Sequence, residues 1–253
     1  WDTYRALHPL FNLINRKVNT DIAQSMLQHC AQSVHHALPI WSHMANENWC
    51  MIGYHSVSVL ADAIAKGLPI DKEKALQAMI SSSTIPYYEG TKAYMEKGYV
   101  PLEQSGSAGS LTLEYAYDDW TIYQTALRCG NKEVADRYQQ RATNYKHVFD
   151  PTIGYARPRT NQGEFKTPFS LLSTHGEGFI EGNALNYSFY VPQDINGLIR
   201  MMGGETSFVA KLDSLFTMHL PDAFFAETED VTKEGLLGGY VQGNEPGHHI
   251  PCL

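Results

Sequence analysis

Charge is scarce in this 253-residue chain: Asp, Glu, Lys and Arg make up 18% of it, and 27 acidic side chains against 19 basic ones leave a formal net charge of -8. With no Lys/Arg stripe to displace counterions, a nucleic-acid partner is excluded and a neutral or cationic ligand fits better. Cysteine is scarcer still. Cys30, Cys50, Cys129 and Cys252 are scattered without C-x-x-C spacing, which speaks against a zinc site or a dense disulfide framework and reads as buried free thiols. Every apolar run falls short of the roughly 20 residues that span a bilayer, so no membrane span is expected. No basic-then-apolar leader opens the chain. Low-complexity tracts and a fixed-period repeat are also missing, which excludes a consensus-repeat solenoid.

What is present is apolar and helical. Hydrophobic residues make up 43% of the chain and aromatics 11%, ample for a packed core. Val57, Leu60, Ala61 and Ile64 recur at i, i+3, i+4 and i+7, and Gly67 stops the run. Similar patterns predict helices over Thr3–Ile14, Thr20–Ser33, Asp71–Ser81, Leu111–Cys129, Asn131–Phe149, Leu185–Met202 and Thr206–Phe216, with Asp71 and Asn131 as N-caps. A connection as short as Gly130-Asn131 forces an antiparallel helix pair. Between Asp150 and Phe179 the helical period breaks at Gly154, Pro158, Asn161, Gly163 and Pro168, and predicts a small hairpin or a long functional loop. Paired helices without repeat consensus, carrying polar groups on their loops, predict an all-α fold of the (α/α)6 toroid type.

Three places carry chemistry. Gln242-Gly243-Asn244-Glu245-Pro246-Gly247-His248-His249 crowds two amides, a carboxylate and two imidazoles onto a Gly/Pro-bounded turn, a display of ligands suited to a hard cation, a sugar, or both. His248 and His249 are adjacent, so helical i, i+4 zinc geometry is closed to them. They read as donors to sugar hydroxyls or as satisfied structural histidines. Glu181 follows the apolar Phe179-Ile180, which predicts a desolvated carboxyl able to donate a proton. The alternative reading is a cap on a helix starting near Asn183. Glycoside hydrolysis uses such an acid together with a second carboxylate. Trp1 and Asp2 suit stacking and hydroxyl binding on a pyranose, or equally a buried Trp beside a helix N-cap. The doublet Asp118-Asp119, among Tyr115, Tyr117 and Trp120, is expected to hydrogen-bond core polar groups.

Taken in order, Trp1-Asp2-Thr3-Tyr4-Arg5, Met51-Ile52-Gly53-Tyr54-His55, Leu113-Glu114-Tyr115-Ala116-Tyr117-Asp118-Asp119-Trp120, Glu181-Gly182-Asn183-Ala184 and Gly243-Asn244-Glu245-Pro246-Gly247-His248-His249 resemble the successive motifs of glycoside hydrolase family 92. The resemblance implies a calcium-dependent, inverting exo-α-mannosidase acting on mannose-containing glycans, with α-1,2 linkages the expected target, secreted or periplasmic. It also implies a β-sandwich followed by a helical toroid. By position, Glu181 matches the general acid, Trp1 and Asp2 the contacts to the terminal mannose, His248 and His249 further substrate contacts, and Asn244 and Glu245 the calcium loop. The motifs make residues 1–253 the central portion of one toroid, with the β-sandwich, the end of the toroid and the catalytic-base aspartates beyond it. The alternative reading is a glycan-binding remnant without catalysis. Two departures stand out: Leu185 and Asn186 replace the family's Trp and Gln after Ala184, and Cys252 replaces an aromatic.

Overall fold

Asp71 and Asn131 do what short polar side chains at helix starts predict. Asp71 accepts the Lys74 N–H at 3.0 Å and opens α4 (Lys72–Ser82), and Asn131 accepts the Val134 N–H at 3.1 Å and opens α7 (Lys132–Arg141). The structure, a computed structural model, describes residues 1–44, 46–174, 176–222 and 233–253. Two compact units account for the chain, one of Trp1–Met95 with Glu114–Thr143, the other of Glu96–Leu113 with Asn144–Leu253.

In the first unit α1 (Leu7–Ile14) packs on α2 (Arg16–Gln32), and both pack on α3 (Ser56–Ala65), which meets α4. The predicted breaker Gly67 has φ +73°, the left-handed conformation that ends a helix at little cost to glycine. The second half of α6 (Ala108–Arg128) leads through Gly130, at φ +70°, into α7. A short helix, α5 (Thr91–Lys97), lacks a legible apolar stripe and escapes periodicity. Among the described residues strands are two-residue ladders only: β1 (Ser42–His43) with β2 (Asn46–Glu47) here, and β3 (Phe149–Asp150) with β4 (Tyr155–Ala156) and β5 (Leu236–Leu237) with β6 (Tyr240–Val241) in the second unit. The all-α expectation therefore holds.

The core of the first unit is built from tyrosines. Tyr54, Tyr94, Tyr115 and Tyr138 are fully buried, and the Tyr54 and Tyr115 rings stack at 5.0 Å. Each phenol brings a large apolar body and an O–H that needs a partner. Tyr115 donates to the Glu89 carbonyl at 2.7 Å, and Tyr138 pairs with Ser83 at 2.5 Å. Tyr54 and Tyr94 donate to the buried Asp119 carboxylate at 2.8 and 2.9 Å, and Arg141 Nε adds a third bond at 2.8 Å. Burial pushes the Asp119 carboxyl up, and Arg141 with the two hydroxyls only partly offsets it. Asp118-Asp119 thus serves core polar groups, as expected.

In the second unit the break between Asp150 and Phe179 contains the β3–β4 hairpin, continued by an antiparallel bridge between Arg159 and Phe165. The single helix expected over Leu185–Met202 is instead two, α8 (Ala184–Tyr187) and α9 (Ile195–Met201). Pro192 has no N–H to continue α8, and Asp194 recaps the chain by accepting the Gly197 N–H at 2.8 Å. Likewise the helix expected over Asn131–Phe149 ends at Arg141, and residues Asn144–Val148 form a 3-10 helix leading into β3. α10 (Glu205–Thr217) matches its predicted span and packs on α9. All four cysteines are free, but only Cys30 is buried; Cys50 and Cys252 are exposed, against the expectation of buried thiols.

Candidate active site

Glu181 lies on a turn that the start of α6 holds in place. The Gly178 carbonyl accepts the N–H groups of Gly109 and Ser110 at 2.8 and 3.2 Å, and Gly178 N–H donates to the Gly106 carbonyl at 2.7 Å. These bonds satisfy donors that a helix start leaves orphaned. The approach depends on glycine, because a Cβ on Gly109 would lie 2.9 Å from the Gly178 oxygen. Ser110 Oγ then accepts the Ile180 N–H at 3.2 Å, and Phe179 is fully buried against Tyr187. The next residue, Glu181, has φ +47° and is half-buried. A non-glycine residue there stores strain of order 1–3 kcal/mol, of a kind that clusters at functional sites.

The capping alternative for Glu181 does not hold. Asn183 is the N-cap of α8: its Oδ1 accepts the N–H groups of Leu185 and Asn186 at 3.0 and 3.3 Å.

α8 carries the second contact across the site. Asn186, standing where a longer amide was expected, is buried, donates to the Gly239 carbonyl at 2.8 Å and accepts the Val241 N–H at 3.3 Å. It ties α8 to the β5–β6 hairpin, from which the 242–249 loop departs. Tyr240 Oη donates to the Gly247 carbonyl at 3.2 Å and also to Gln242 Oε1, so the Gln242 oxygen already has a partner.

Asn244 brings the loop to the turn. Its Nδ2 donates to the Glu181 carbonyl, while its Oδ1 is enclosed without a hydrogen-bond partner among the described residues. A buried amide oxygen left unpaired is costly unless a ligand satisfies it. Glu245, half-buried, follows directly at the start of a single 3-10 turn, Glu245–Gly247. His248 and His249 are both half-buried. His249 Nε2 donates to the Phe189 carbonyl at 2.8 Å, and its ring meets Tyr190 edge-on at 6.2 Å, so the imidazole is oriented by the chain that leaves α8. The second unit thus brings Glu181, Asn244, Glu245 and His249 onto connected backbone, with His248 between them. Gln193, which sequence reading passed over, also has both amide atoms enclosed without a partner among the described residues.

Trp1 and Asp2 belong to the first unit. Trp1 is buried, with its ring 5.9 Å from that of His55, and Asp2 is exposed. Asp2 is not a helix cap, since α1 starts after Ala6.

Calcium takes six to eight oxygens from carboxylates, amides, carbonyls and water. Asn244 Oδ1 and the Glu245 carboxylate fit that chemistry. Among the described residues no group of three or more His, Cys, Asp or Glu could hold a metal, so further oxygens would have to come from elsewhere.

The chain is similar to known proteins along its length. The description "Glycosyl hydrolase family 92 catalytic domain" matches residues 1–253. A family GH92 α-mannosidase of Bacteroides thetaiotaomicron superposes with a TM-score of 0.91 at 46% identity, over 99% of this chain and 33% of that one, and its structure in complex with mannoimidazole gives 0.91 at 43%. A family GH92 inverting mannosidase of the same organism gives 0.80 at 34% identity, over 90% of this chain and 32% of that one. An uncharacterized secreted glycosidase of Arthroderma benhamiae is 26% identical over 202 residues, 64% of this chain and 26% of that protein. The chain therefore spans about a third of the solved relatives and about a quarter of the secreted one. The (α/α)6-type class read from helix pairing is the class these structures share. With the family match running from Trp1 to Leu253, this chain belongs to glycosyl hydrolase family 92.

Proposed function

We propose that this chain carries the proton-donating part of a calcium-dependent, inverting exo-α-mannosidase that removes terminal mannose, α-1,2-linked, from glycans. The observation that carries the reading is the Glu181 turn: a non-glycine residue held at φ +47° behind a buried Phe179, two positions before the Asn183 cap of α8, with the Asn244 amide bonded to its carbonyl.

Each residue then has a part. Glu181 gives its proton to the glycosidic oxygen as the bond from C1 to that oxygen breaks, and the bonding electrons leave with the oxygen. Asn244 Oδ1 and Glu245 would hold the calcium ion, which, when bound, supplies an anchor for neighbouring sugar hydroxyls. His249, its Nε2–H fixed on Phe189, presents the rest of its ring at a set angle, and His248 stands beside it as a second hydroxyl contact. Trp1 stacks on the terminal sugar and Asp2 accepts its hydroxyls. The base that activates water is assigned to sequence outside residues 1–253, which make up the central portion of the toroid domain. The names of the relatives, two mannosidases and a secreted glycosidase, support the substrate class and a secreted or periplasmic site of action.

The test is release of mannose from α-1,2-mannobiose, with calcium and then with chelator, beside Glu181→Gln. Expected is slow, calcium-dependent release, lowered by a further ~10²–10⁴ in the variant. Release that survives chelation or the Glu181→Gln change contradicts the reading. No release at all would favour glycan binding without hydrolysis.

A further inference from the structure

The first unit buries a charged cluster that the proposed chemistry does not use. His55, just ahead of α3, is 4% exposed. Its Nδ1 donates to Asp118 Oδ1 at 2.8 Å and its Nε2 is ion-paired with Glu114. Glu114 and Asp118 are four residues apart on α6, hence on one face, and both are fully buried. Asp118 is fixed in turn, its Oδ2 accepting the Tyr54 N–H at 2.7 Å. The imidazole is also confined sterically, since a Cβ on Gly53 would fall 2.3 Å from its Nε2.

On this clamped ring lies the Trp1–Arg5 segment. Tyr4 stacks on the His55 face at 4.0 Å with 4° between planes, and Trp1 meets the same ring at 5.9 Å and 52°. A cavity of about 130 Å³ lies against Trp1, Tyr4, His55, Pro39 and Ile40. A ring shared by two carboxylates is held as a cation, and a cation under a phenol face is attractive, more so when desolvated.

From this stacking we infer that His55 is a positioning residue: clamped between Glu114 and Asp118, it orients Tyr4 and Trp1, and through Trp1 it sets the affinity for the terminal sugar. The inference rests on the proposed role of Trp1. Burial alone would pull the His55 pKa down, but Asp118 and Glu114 override it and raise it from 6.5 to about 9. The other titratable groups around the ring are the phenols of Tyr4 and Tyr54 and, across Gly53, Tyr88, whose hydroxyl donates to the Gly53 carbonyl at 3.0 Å. Burial raises Tyr54 and Tyr88 well above the ordinary tyrosine value. The positioning is therefore in force below the raised value and fails as pH climbs through it.

The experiment is a pH titration from 6 to 10.5 of two readouts, tryptophan fluorescence and affinity for mannoimidazole in calcium. It is run on the wild type, Trp1→Phe, His55→Gln and Tyr4→Leu, with folding checked by circular dichroism. The wild type should show a fluorescence step near pH 9 that Trp1→Phe lacks, and an affinity that falls about tenfold across the same range. Folded His55→Gln should bind about tenfold more weakly with a flat profile, and Tyr4→Leu, which keeps the clamp, should bind weakly at every pH. A His55→Gln protein with wild-type affinity and profile overturns the inference. So does a wild type without the fluorescence step, even if it binds sugar. A wild type that shows the step but binds no mannoimidazole removes both the inference and the mannosidase reading, whereas the first two outcomes leave the latter intact.

Discussion

Glu181 shows how one residue can be at odds with its own backbone. At φ +47° the side chain crowds the following carbonyl, a cost that glycine avoids. Replacing Glu181 by Gly should raise unfolding stability by about 1 kcal/mol in urea while removing mannose release, since strain at a functional residue is retained for what the side chain does. Equal or lower stability for Glu181→Gly would show the turn unstrained. At this scale the sequence was informative but ambiguous. One residue, Gly182, separates Glu181 from Asn183, and either could cap α8. Only the bonds from Leu185 and Asn186 to Asn183 decide it. His55 was legible as part of a motif but not as a cation. Its two carboxylates lie 59 and 63 residues later, and the i, i+4 spacing of Glu114 and Asp118 was the one available signal.

Among the elements, helices with a cap and a breaker were legible. Asp71, Asn131 and Gly67 punctuate the chain through local chemistry, and their positions carry over into the structure. Elements decided by longer-range contact were not: α8 and α9 merge in a periodicity reading because Leu185, Tyr187, Leu198 and Met202 are all buried, although Pro192 parts them. α6 gathers the buried polar contacts of the first unit. Asp119 on α6 receives Tyr54, Tyr94 and Arg141, and the Arg141 guanidinium lies over the Tyr138 ring at 4.8 Å. Removing the guanidinium strands a buried carboxylate, so Arg141→Met should cost about 3–5 kcal/mol. A loss under about 1 kcal/mol, the size of an exposed pair, would mean that the two tyrosine hydroxyls suffice.

For the molecule as a whole, family and fold class were readable because five motifs recur in order, each anchored by residue types that chemistry constrains. The ligand set was less so. Gln242 looked like a donor equal to Asn244, but its oxygen is taken by Tyr240, whereas Asn244 Oδ1 is enclosed and unpaired. Sequence gives the composition of a loop, and the fold gives which of its oxygens are spoken for. That distinction supplies the most direct test: calorimetric titration of mannoimidazole into this chain, loaded with calcium or chelated, for the wild type and Asn244→Ala. The account predicts binding that needs calcium, and an Asn244→Ala protein that needs about tenfold more of it, the effect of losing about 1.4 kcal/mol of cation affinity. Mannoimidazole binding indifferent to chelator, or to the loss of the Asn244 amide, would contradict the assignment of this loop as the cation and sugar site.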